Sequence, residues 1–160
     1  MKEPEYIIGE ASDFSKKEIA TFKKIVLEAG EVSSGTFDGL IEKNPILLFY
    51  PNPKKIKAIG ALKIPNKEYK DGVFKKSNSR ADSNSFKYEL GWIVSLEEEK
   101  GIGQKITEIL AAYQPKMYAT VRKDNVKMNH IIQKFGFQQS GNSYDSIRGD
   151  YQINLFIKEL

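Results

Sequence analysis

The chain has 160 residues, of which 40% are hydrophobic and 11% aromatic, and 25 basic against 21 acidic residues give a net charge of +4. This length predicts one domain over residues 1–160, with enough apolar material for a packed core. No run approaches the ~18 apolar residues of a membrane-spanning helix. The first residues lack the apolar centre of a secretory leader. We therefore expect a cytoplasmic protein that does not enter a membrane.

The residue types that are missing narrow the chemistry. The sequence has no cysteine and a single histidine, His130. Disulfides, a thiolate nucleophile and cysteine-ligated metals are therefore excluded. Histidine-rich metal sites and a serine–histidine hydrolase are disfavoured, and no metal is expected. We expect His130 to lie exposed on a helix, because it has no acidic neighbour to activate it.

The first third of the chain predicts a strand, two helices and a hairpin. A strand is expected over residues 6–10, and a helix runs from the capping box at residues 15–18 to the stop at Gly30. A shorter helix is expected over residues 37–43. The apolar runs 46–50 and 57–64 flank a turn rich in proline and asparagine, which predicts an antiparallel hairpin.

Residues 65–86 are rich in Asn, Ser, Lys and Asp, and Val73 and Phe74 form their one apolar pair. This composition predicts a long loop. Loops of this length in compact domains are commonly functional. A disordered hairpin tip is an equally good interpretation.

The second half alternates strands and helices. Apolar patterns predict strands over residues 88–94, 117–121 and 151–157, and helices over 102–113 and 125–136. The last strand alternates apolar and polar residues, as a half-buried strand does. The chain is thus predicted to be an α/β (α+β) domain, with antiparallel strands first and a C-terminal β-α-β-α-β unit.

A glycine loop joins the strand over residues 88–94 to the next helix. Gly101 and Gly103 permit close backbone approach, and Lys100 and Lys105 bracket them with charge. The following helix adds its N-terminal amides, so a phosphate group would suit this loop. A P-loop motif is absent, and a dinucleotide fingerprint would need glycine where Ile106 stands. A tight turn without a ligand is the alternative interpretation.

Residues 88–137 resemble the GCN5-related N-acetyltransferase (GNAT) superfamily, whose members use acetyl-coenzyme A. Gly101 and Gly103 match the family loop Arg/Gln-x-x-Gly-x-Gly/Ala. A downstream block matches at four positions, namely Asn125, Lys134, Gly136 and Phe137. The resemblance implies a mixed, mostly antiparallel sheet flanked by helices. It also implies direct transfer of an acetyl group from acetyl-CoA to a primary amine, without a covalent enzyme intermediate.

The resemblance also implies where acetyl-CoA would bind. The pantetheine arm would pair with the backbone of Ile93 and Val94. The pyrophosphate would lie on the loop formed by Lys100, Gly101, Ile102, Gly103, Gln104 and Lys105. From the downstream block, Asn125 and Lys134 are further expected contacts.

Two positions depart from the family pattern. Glu98 replaces the cation or amide that opens the loop, which could weaken cofactor binding through charge repulsion. Ile132 stands where the family often has a tyrosine that protonates the departing thiolate. Either another tyrosine, Tyr144 or Tyr118, supplies that proton, or the thiolate leaves unaided. Of the two tyrosines, we assign Tyr144 to the catalytic site.

Glu89 lies on the strand where family members often place a catalytic glutamate. An alkyl amine is mostly protonated at neutral pH, so a nearby carboxylate could take its proton, directly or through a water. In the alternative interpretation, Glu89 points to the other face and pairs with a surface lysine.

Two rival functions remain open. The chain could be a catalytically weak module that binds coenzyme A or a peptide. The basic residues between 116 and 134 could contact nucleic acid, although the 3′-phosphate of coenzyme A explains them better. The acceptor could be a small amine, an antibiotic, an amino acid, or a protein N-terminus or lysine. A homodimer is common among proteins of the family.

Overall fold

A computed structural model describes residues 4–97 and 100–159 of the chain. The helices and strands, in chain order, are β1 (Ile7–Glu10), α1 (Lys16–Glu28), α2 (Ser34–Ile41), β2 (Ile46–Asn52), β3 (Lys55–Lys63), α3 (Lys67–Lys76), β4 (Glu89–Ser95), α4 (Ile102–Tyr113), β5 (Lys116–Arg122), α5 (Val126–Lys134), β6 (Gln138–Gln139), β7 (Tyr144–Asp145) and β8 (Gln152–Glu159).

These elements form a mixed α/β fold with a mostly antiparallel sheet and five α-helices, as predicted. The C-terminal alternation of strands and helices is also confirmed. The chain divides into two compact units, residues 1–64 with 91–110 and residues 65–90 with 111–160. Within the described residues, no helix has the length and apolar character needed to cross a bilayer.

In the first unit, β2 pairs antiparallel with both β1 and β3. The predicted capping box begins α1: the Ser15 hydroxyl accepts from the Glu18 amide at 3.1 Å, and the Ser15 amide donates to the Glu18 carboxylate at 2.8 Å. The aromatic core of this unit includes Phe22, Phe37 and Trp92, all of which are buried. The rings of these three residues contact one another, so α1, α2 and β4 meet in this core.

A glycine on β3 brings α4 close to the sheet. A Cβ atom at Gly60 would lie 2.7 Å from side-chain carbons of both Ile106 and Leu110. Real carbon contacts are not this short, so any larger residue would push α4 away. Gly60 therefore helps to set the position of α4, whose first turn follows the glycine loop.

In the second unit, β4 pairs parallel with β5 at Glu89 and Tyr118, and β5 pairs antiparallel with β8. Strands β6 and β7 pair with β8 as well. The Asn125 side chain caps α5 by accepting from the Met128 amide at 3.0 Å, as the sequence predicts. Asn125 thus has a structural role at the start of this helix.

The prediction of a long loop over residues 65–86 is wrong. This segment contains α3 and a 3-10 turn at Ser83–Ser85. Val73 and Phe74 are buried against Phe86 and Tyr118, in a cluster that includes Leu155. These tertiary contacts stabilise a helix whose own sequence is mostly polar.

The prediction of a half-buried last strand is also wrong. Asn154, Leu155 and Phe156 are consecutive residues of β8, and all three are buried. Successive side chains of a strand point to opposite faces. Both faces of β8 are therefore covered at its centre, and the strand is an internal one.

Candidate active site

Glu89, the first residue of β4, is buried and is 3% exposed. The Tyr69 hydroxyl on α3 donates a hydrogen bond to its Oε2 atom at 3.3 Å. The interpretation that Glu89 points to the surface is therefore wrong. A carboxylate in this position is costly to bury unless hydrogen-bond donors compensate it.

Three tyrosines lie within hydrogen-bonding or electrostatic reach of this carboxylate. Burial, together with the negative charge of Glu89, raises the pKa of Tyr69, Tyr118 and Tyr144, that of Tyr144 to about 12. All three phenols are therefore neutral near pH 7 and can act as hydrogen-bond donors. The second unit thus brings together one proton acceptor and three hydroxyl donors, which we call the Glu89 cluster.

Tyr118 is the most deeply buried member of the Glu89 cluster. It lies beside Glu89 in the parallel pairing of β4 with β5 and has no exposed surface. Its hydroxyl has no hydrogen-bond partner among the described residues. Such groups are rare in folded proteins, and they draw attention to a site.

The two residues considered for the general acid differ in access. Tyr144 on β7 is half-buried, while Tyr118 is fully buried. Ile132 on α5, where the family often has tyrosine, is also fully buried and belongs to the core. The charge of Glu89 contributes to the raised pKa of Tyr144, which places this predicted residue within electrostatic reach of Glu89.

The glycine loop lies in the first unit. Gly101 has a φ of +88°, which L side chains rarely adopt, and α4 begins at the next residue. No described atom lies within 4 Å of a Cβ built at Gly101 or at Gly103. As far as the described residues go, the space beside both glycines is therefore open, at the N-terminal end of α4, where helix amides lack intrahelical acceptors. Glu98, the unusual acid of this loop, lies outside the described residues.

The charged residues of the loop have carboxylate neighbours. The Lys105 ammonium lies 3.3 Å from Glu5 and 3.9 Å from Glu108, and the hydrogen bond to Glu5 raises the pKa of Lys105. Lys100 is exposed, and Ile102 is buried and anchors the loop. Lys105 would therefore have to exchange a carboxylate for a phosphate if it bound one.

The residue before the strand segment predicted to hold the pantetheine arm has an unusual backbone conformation. Trp92 has a φ of +52°, although it lies within β4 and its ring is buried. A bulky residue in this conformation is strained, and strain of this kind concentrates at functional sites. Ile93 and Val94, which follow, are half-buried.

The downstream block lies in the second unit. Lys134 occupies the last turn of α5 and is exposed, as is His130 on the same helix. The expected position of His130 is therefore confirmed. The cap that Asn125 forms accounts for its side chain without a ligand, and contacts of Asn125 and Lys134 with a cofactor remain predictions.

The residue that the sequence analysis missed is Tyr69. The sequence did contain a signal for helix α3, although none for its contact with Glu89. Tyr69 and Val73 are four residues apart, as are Lys67 and Asp71, which form an ion pair of 2.6 Å.

No group of three or more His, Asp or Glu side chains suited to a metal occurs among the described residues.

Neither a known family's sequence model nor a curated protein matches this sequence. Solved structures do match it over nearly the whole chain. An acyl-CoA N-acyltransferase from Pseudomonas aeruginosa has a TM-score of 0.66 at 14% identity, covering 96% of this chain and 97% of that one. The ribosomal-protein-S18-alanine N-acetyltransferase from Escherichia coli has a TM-score of 0.64 at 13% identity, with coverages of 96% and 92%.

Arabidopsis thaliana NAA60, solved in complex with acetyl-CoA, has a TM-score of 0.63 at 11% identity, with coverages of 97% and 99%. An acetyltransferase of the GNAT family from Bacillus cereus also has a TM-score of 0.63 at 11% identity, with coverages of 97% and 98%. At these identities, the likeness is one of fold. The chain has the fold of the GNAT acetyltransferases.

Proposed function

We propose that this chain is a single-domain N-acetyltransferase that transfers the acetyl group of acetyl-CoA directly to a primary amine. The observation that carries the proposal is the Glu89 cluster, in which a buried carboxylate on β4 accepts a hydrogen bond from Tyr69 and lies within electrostatic reach of Tyr118 and Tyr144. A buried ionisable group with perturbed neighbours is typical of a catalytic site. The fold, shared with an acetyl-CoA complex, supports the choice of cosubstrate.

The glycine loop is the proposed binding site for the pyrophosphate. The open space beside Gly101 and Gly103 would admit a phosphate, and the amides at the start of α4 would face a negative charge favourably. Ile93 and Val94 would offer backbone groups to the pantetheine arm. Asn125 and Lys134 are proposed as further contacts, with Lys134 supplying positive charge.

Acetyl-CoA supplies an activated thioester when bound, and the protein must supply a neutral amine. A lysine-like amine has a pKa near 10.4, so deprotonating it at pH 7 costs about 4.6 kcal/mol. A carboxylate within reach of the amine accepts that proton as the nitrogen attacks. We assign this role to Glu89, which is held inside the protein by its hydrogen bond from Tyr69.

Tyr144 is the proposed proton donor to the departing thiolate. A phenol with a pKa of about 12 is a weak acid, and part of that elevation comes from the charge of Glu89. Once Glu89 has taken the proton from the amine, its charge is gone, and Tyr144 becomes a better donor. The two proton transfers are thereby ordered, with the base acting before the acid.

The rival function is a module that binds coenzyme A without turnover. Ile132 favours it, because a buried isoleucine stands where the family often has a tyrosine that protonates the thiolate. Lys105 favours it as well, because its ammonium group already pairs with the carboxylates of Glu5 and Glu108.

Calorimetric titration with acetyl-CoA tests binding, and thiol release in the presence of amines tests turnover. The amine panel should contain alkyl amines, aminoglycosides, amino acids and peptides with free N-termini or lysines. We expect binding and at least one substrate. Binding without any turnover would support the rival, and no binding would overturn both.

A further inference from the structure

Tyr69 lies on α3, a helix that precedes β4, and its hydroxyl donates a hydrogen bond to the Glu89 carboxylate at 3.3 Å. The role of Tyr69 is the inference drawn here, and it rests on the proposed function, in which Glu89 is the base.

Access distinguishes Tyr69 from the other members of the Glu89 cluster. Glu89 is 3% exposed and Tyr118 is fully buried, whereas Tyr69 is 49% exposed. Tyr144 is only partly exposed. The Tyr69 ring is therefore the most accessible part of this cluster, and an amine that reaches the cluster from the surface meets this ring before it meets Glu89.

Tyr69 is also held firmly in place. The buried side chains of Val73 and Phe74 pack helix α3 against a cluster that includes Phe86 and Tyr118. The Lys70 ammonium donates to the Phe86 carbonyl at 2.9 Å, and the Ser83 hydroxyl donates to Asp71 at 2.5 Å. These contacts join α3 to the segment that leads into β4. The Tyr69 hydroxyl is thus preorganised toward Glu89.

We propose that Tyr69 relays the acceptor's proton to Glu89. The N–H bond of the substrate ammonium breaks as its proton passes to the Tyr69 oxygen. In the same step, the original Tyr69 O–H bond breaks and its proton forms an O–H bond with Glu89 Oε2. The ammonium and carboxylate charges are both consumed, which leaves a neutral amine, an unchanged phenol and a carboxylic acid.

The two transfers are concerted. Burial and the Glu89 charge raise the pKa of Tyr69, so neither a phenolate nor a doubly protonated oxygen accumulates. Glu89 can thereby act as the base although it is almost fully buried. The alternative role for Tyr69 is purely structural, as a donor that compensates a buried carboxylate.

Four proteins separate these roles: Tyr69→Phe, Glu89→Gln, the double variant, and Tyr113→Phe as a matched control. Tyr113 is 42% exposed at the end of α4, far along the chain from α3, so its variant reproduces the loss of an exposed phenol hydroxyl. The measurements are kcat/KM for the fastest amine of the panel from about pH 6 to pH 10, acetyl-CoA affinity by calorimetry, and stability in urea.

A relay predicts that Tyr69→Phe lowers kcat/KM by about 10- to 100-fold near pH 7, with acetyl-CoA affinity unchanged. The loss should shrink toward pH 10, where a much larger share of the amine is already neutral. The double variant should be no slower than the slower single variant, since both changes interrupt one transfer.

Two results would overturn the relay while the enzyme assignment stands. One is an active wild type with a Tyr69→Phe variant whose kcat/KM stays within about twofold of it, whatever its stability. The other is a double variant whose loss equals the product of the single losses, because independent roles multiply. A wild type that neither binds acetyl-CoA nor acetylates the panel would overturn both the proposed function and the relay.

Discussion

Glu89 and Tyr118 stand side by side in the parallel pairing of β4 with β5, and the Tyr118 hydroxyl has no described hydrogen-bond partner. A neutral donor is thus buried beside a carboxylate that is bonded instead by Tyr69. This arrangement lowers the free energy of unfolding, because burial removes the hydrogen bonds of the hydroxyl to water and no described partner replaces them.

Removing that hydroxyl should not destabilise the protein. We expect Tyr118→Phe to leave the free energy of unfolding unchanged or to raise it by about 1 kcal/mol, because the burial penalty of an unpaired hydroxyl disappears. Urea denaturation measures the change. Tyr88→Phe, on the adjacent and partly exposed tyrosine, is the control for the loss of a phenol hydroxyl. A fall of more than about 1 kcal/mol in the free energy of unfolding would mean that the Tyr118 hydroxyl has a hydrogen-bond partner in solution.

Local sequence patterns predicted most of the fold, and tertiary contacts explain where they did not. The capping box of Ser15 and Glu18 and the cap at Asn125 depend on neighbours three residues away, so they could be identified from sequence. Helix α3 depends on Val73 and Phe74 packing against Phe86 and Tyr118, contacts with distant parts of the chain. A polar segment with one apolar pair gives little periodicity to detect.

The candidate site divides in the same way. The glycine loop could be proposed from its own residues, and Glu89 from the family resemblance, because each belongs to a continuous stretch of sequence. Tyr69 could not, since its relation to Glu89 arises only when α3 packs near β4. The pairing of Lys105 with Glu5, about a hundred residues earlier in the sequence, was likewise invisible to any local pattern.

Tyr144 should make stability depend on pH in the alkaline range. Its pKa rises from an ordinary 10 to about 12 in the folded protein. The unfolded chain therefore ionises first, and the stabilisation, complete below about pH 10, is lost as the pH rises toward 12. Two pKa units correspond to at most about 3 kcal/mol.

Tyr144→Phe should accordingly flatten part of this decline. Guanidinium denaturation of both proteins at about pH 8, pH 10 and pH 11.5 measures the slope. Tyr69 and Tyr118 have raised pKa values as well, so some decline should persist in the variant. Parallel curves for the two proteins would show that Tyr144 ionises equally in both states.

Gly103 offers a clean test of the cofactor loop. No described atom lies near its would-be Cβ, and an aspartate in the first turn of α4 suits the helix dipole. Gly103→Asp should therefore fold well. It should weaken acetyl-CoA binding by about 100-fold if a phosphate lies ~6 Å away at an effective dielectric of 20.

Gly103→Asn is the matched control, because it adds similar bulk without the charge. Calorimetry should show a much smaller loss for the asparagine variant. Gly101 is less suitable, since its φ of +88° makes any side chain strained and would mix lost stability with lost binding. Equal affinities for wild type and Gly103→Asp would remove the loop from the cofactor site.

Ile132→Tyr is not expected to restore a general acid. Isoleucine 132 is fully buried, so a tyrosine ring at this position must displace its neighbours, at a cost of about 1–3 kcal/mol. We expect lower stability and no gain in thiol release. Ile132→Phe separates the effect of the ring from that of the hydroxyl. Higher turnover for the tyrosine variant than for the phenylalanine variant would show that a phenol can work from this position.

The direct test of the base is Glu89→Gln. Glutamine preserves the shape of the side chain and can still accept a hydrogen bond from Tyr69, so acetyl-CoA affinity should stay within a few-fold. Turnover should fall by about 10²- to 10⁴-fold, the usual contribution of a positioned base. The loss should diminish as the pH approaches the pKa of the acceptor amine, because the neutral amine then forms without help. Thiol release across the pH range, with calorimetry as the control for binding, gives both quantities. A folded Glu89→Gln variant with wild-type turnover at neutral pH would show that the proton is accepted elsewhere, and the catalytic role of the Glu89 cluster would be withdrawn.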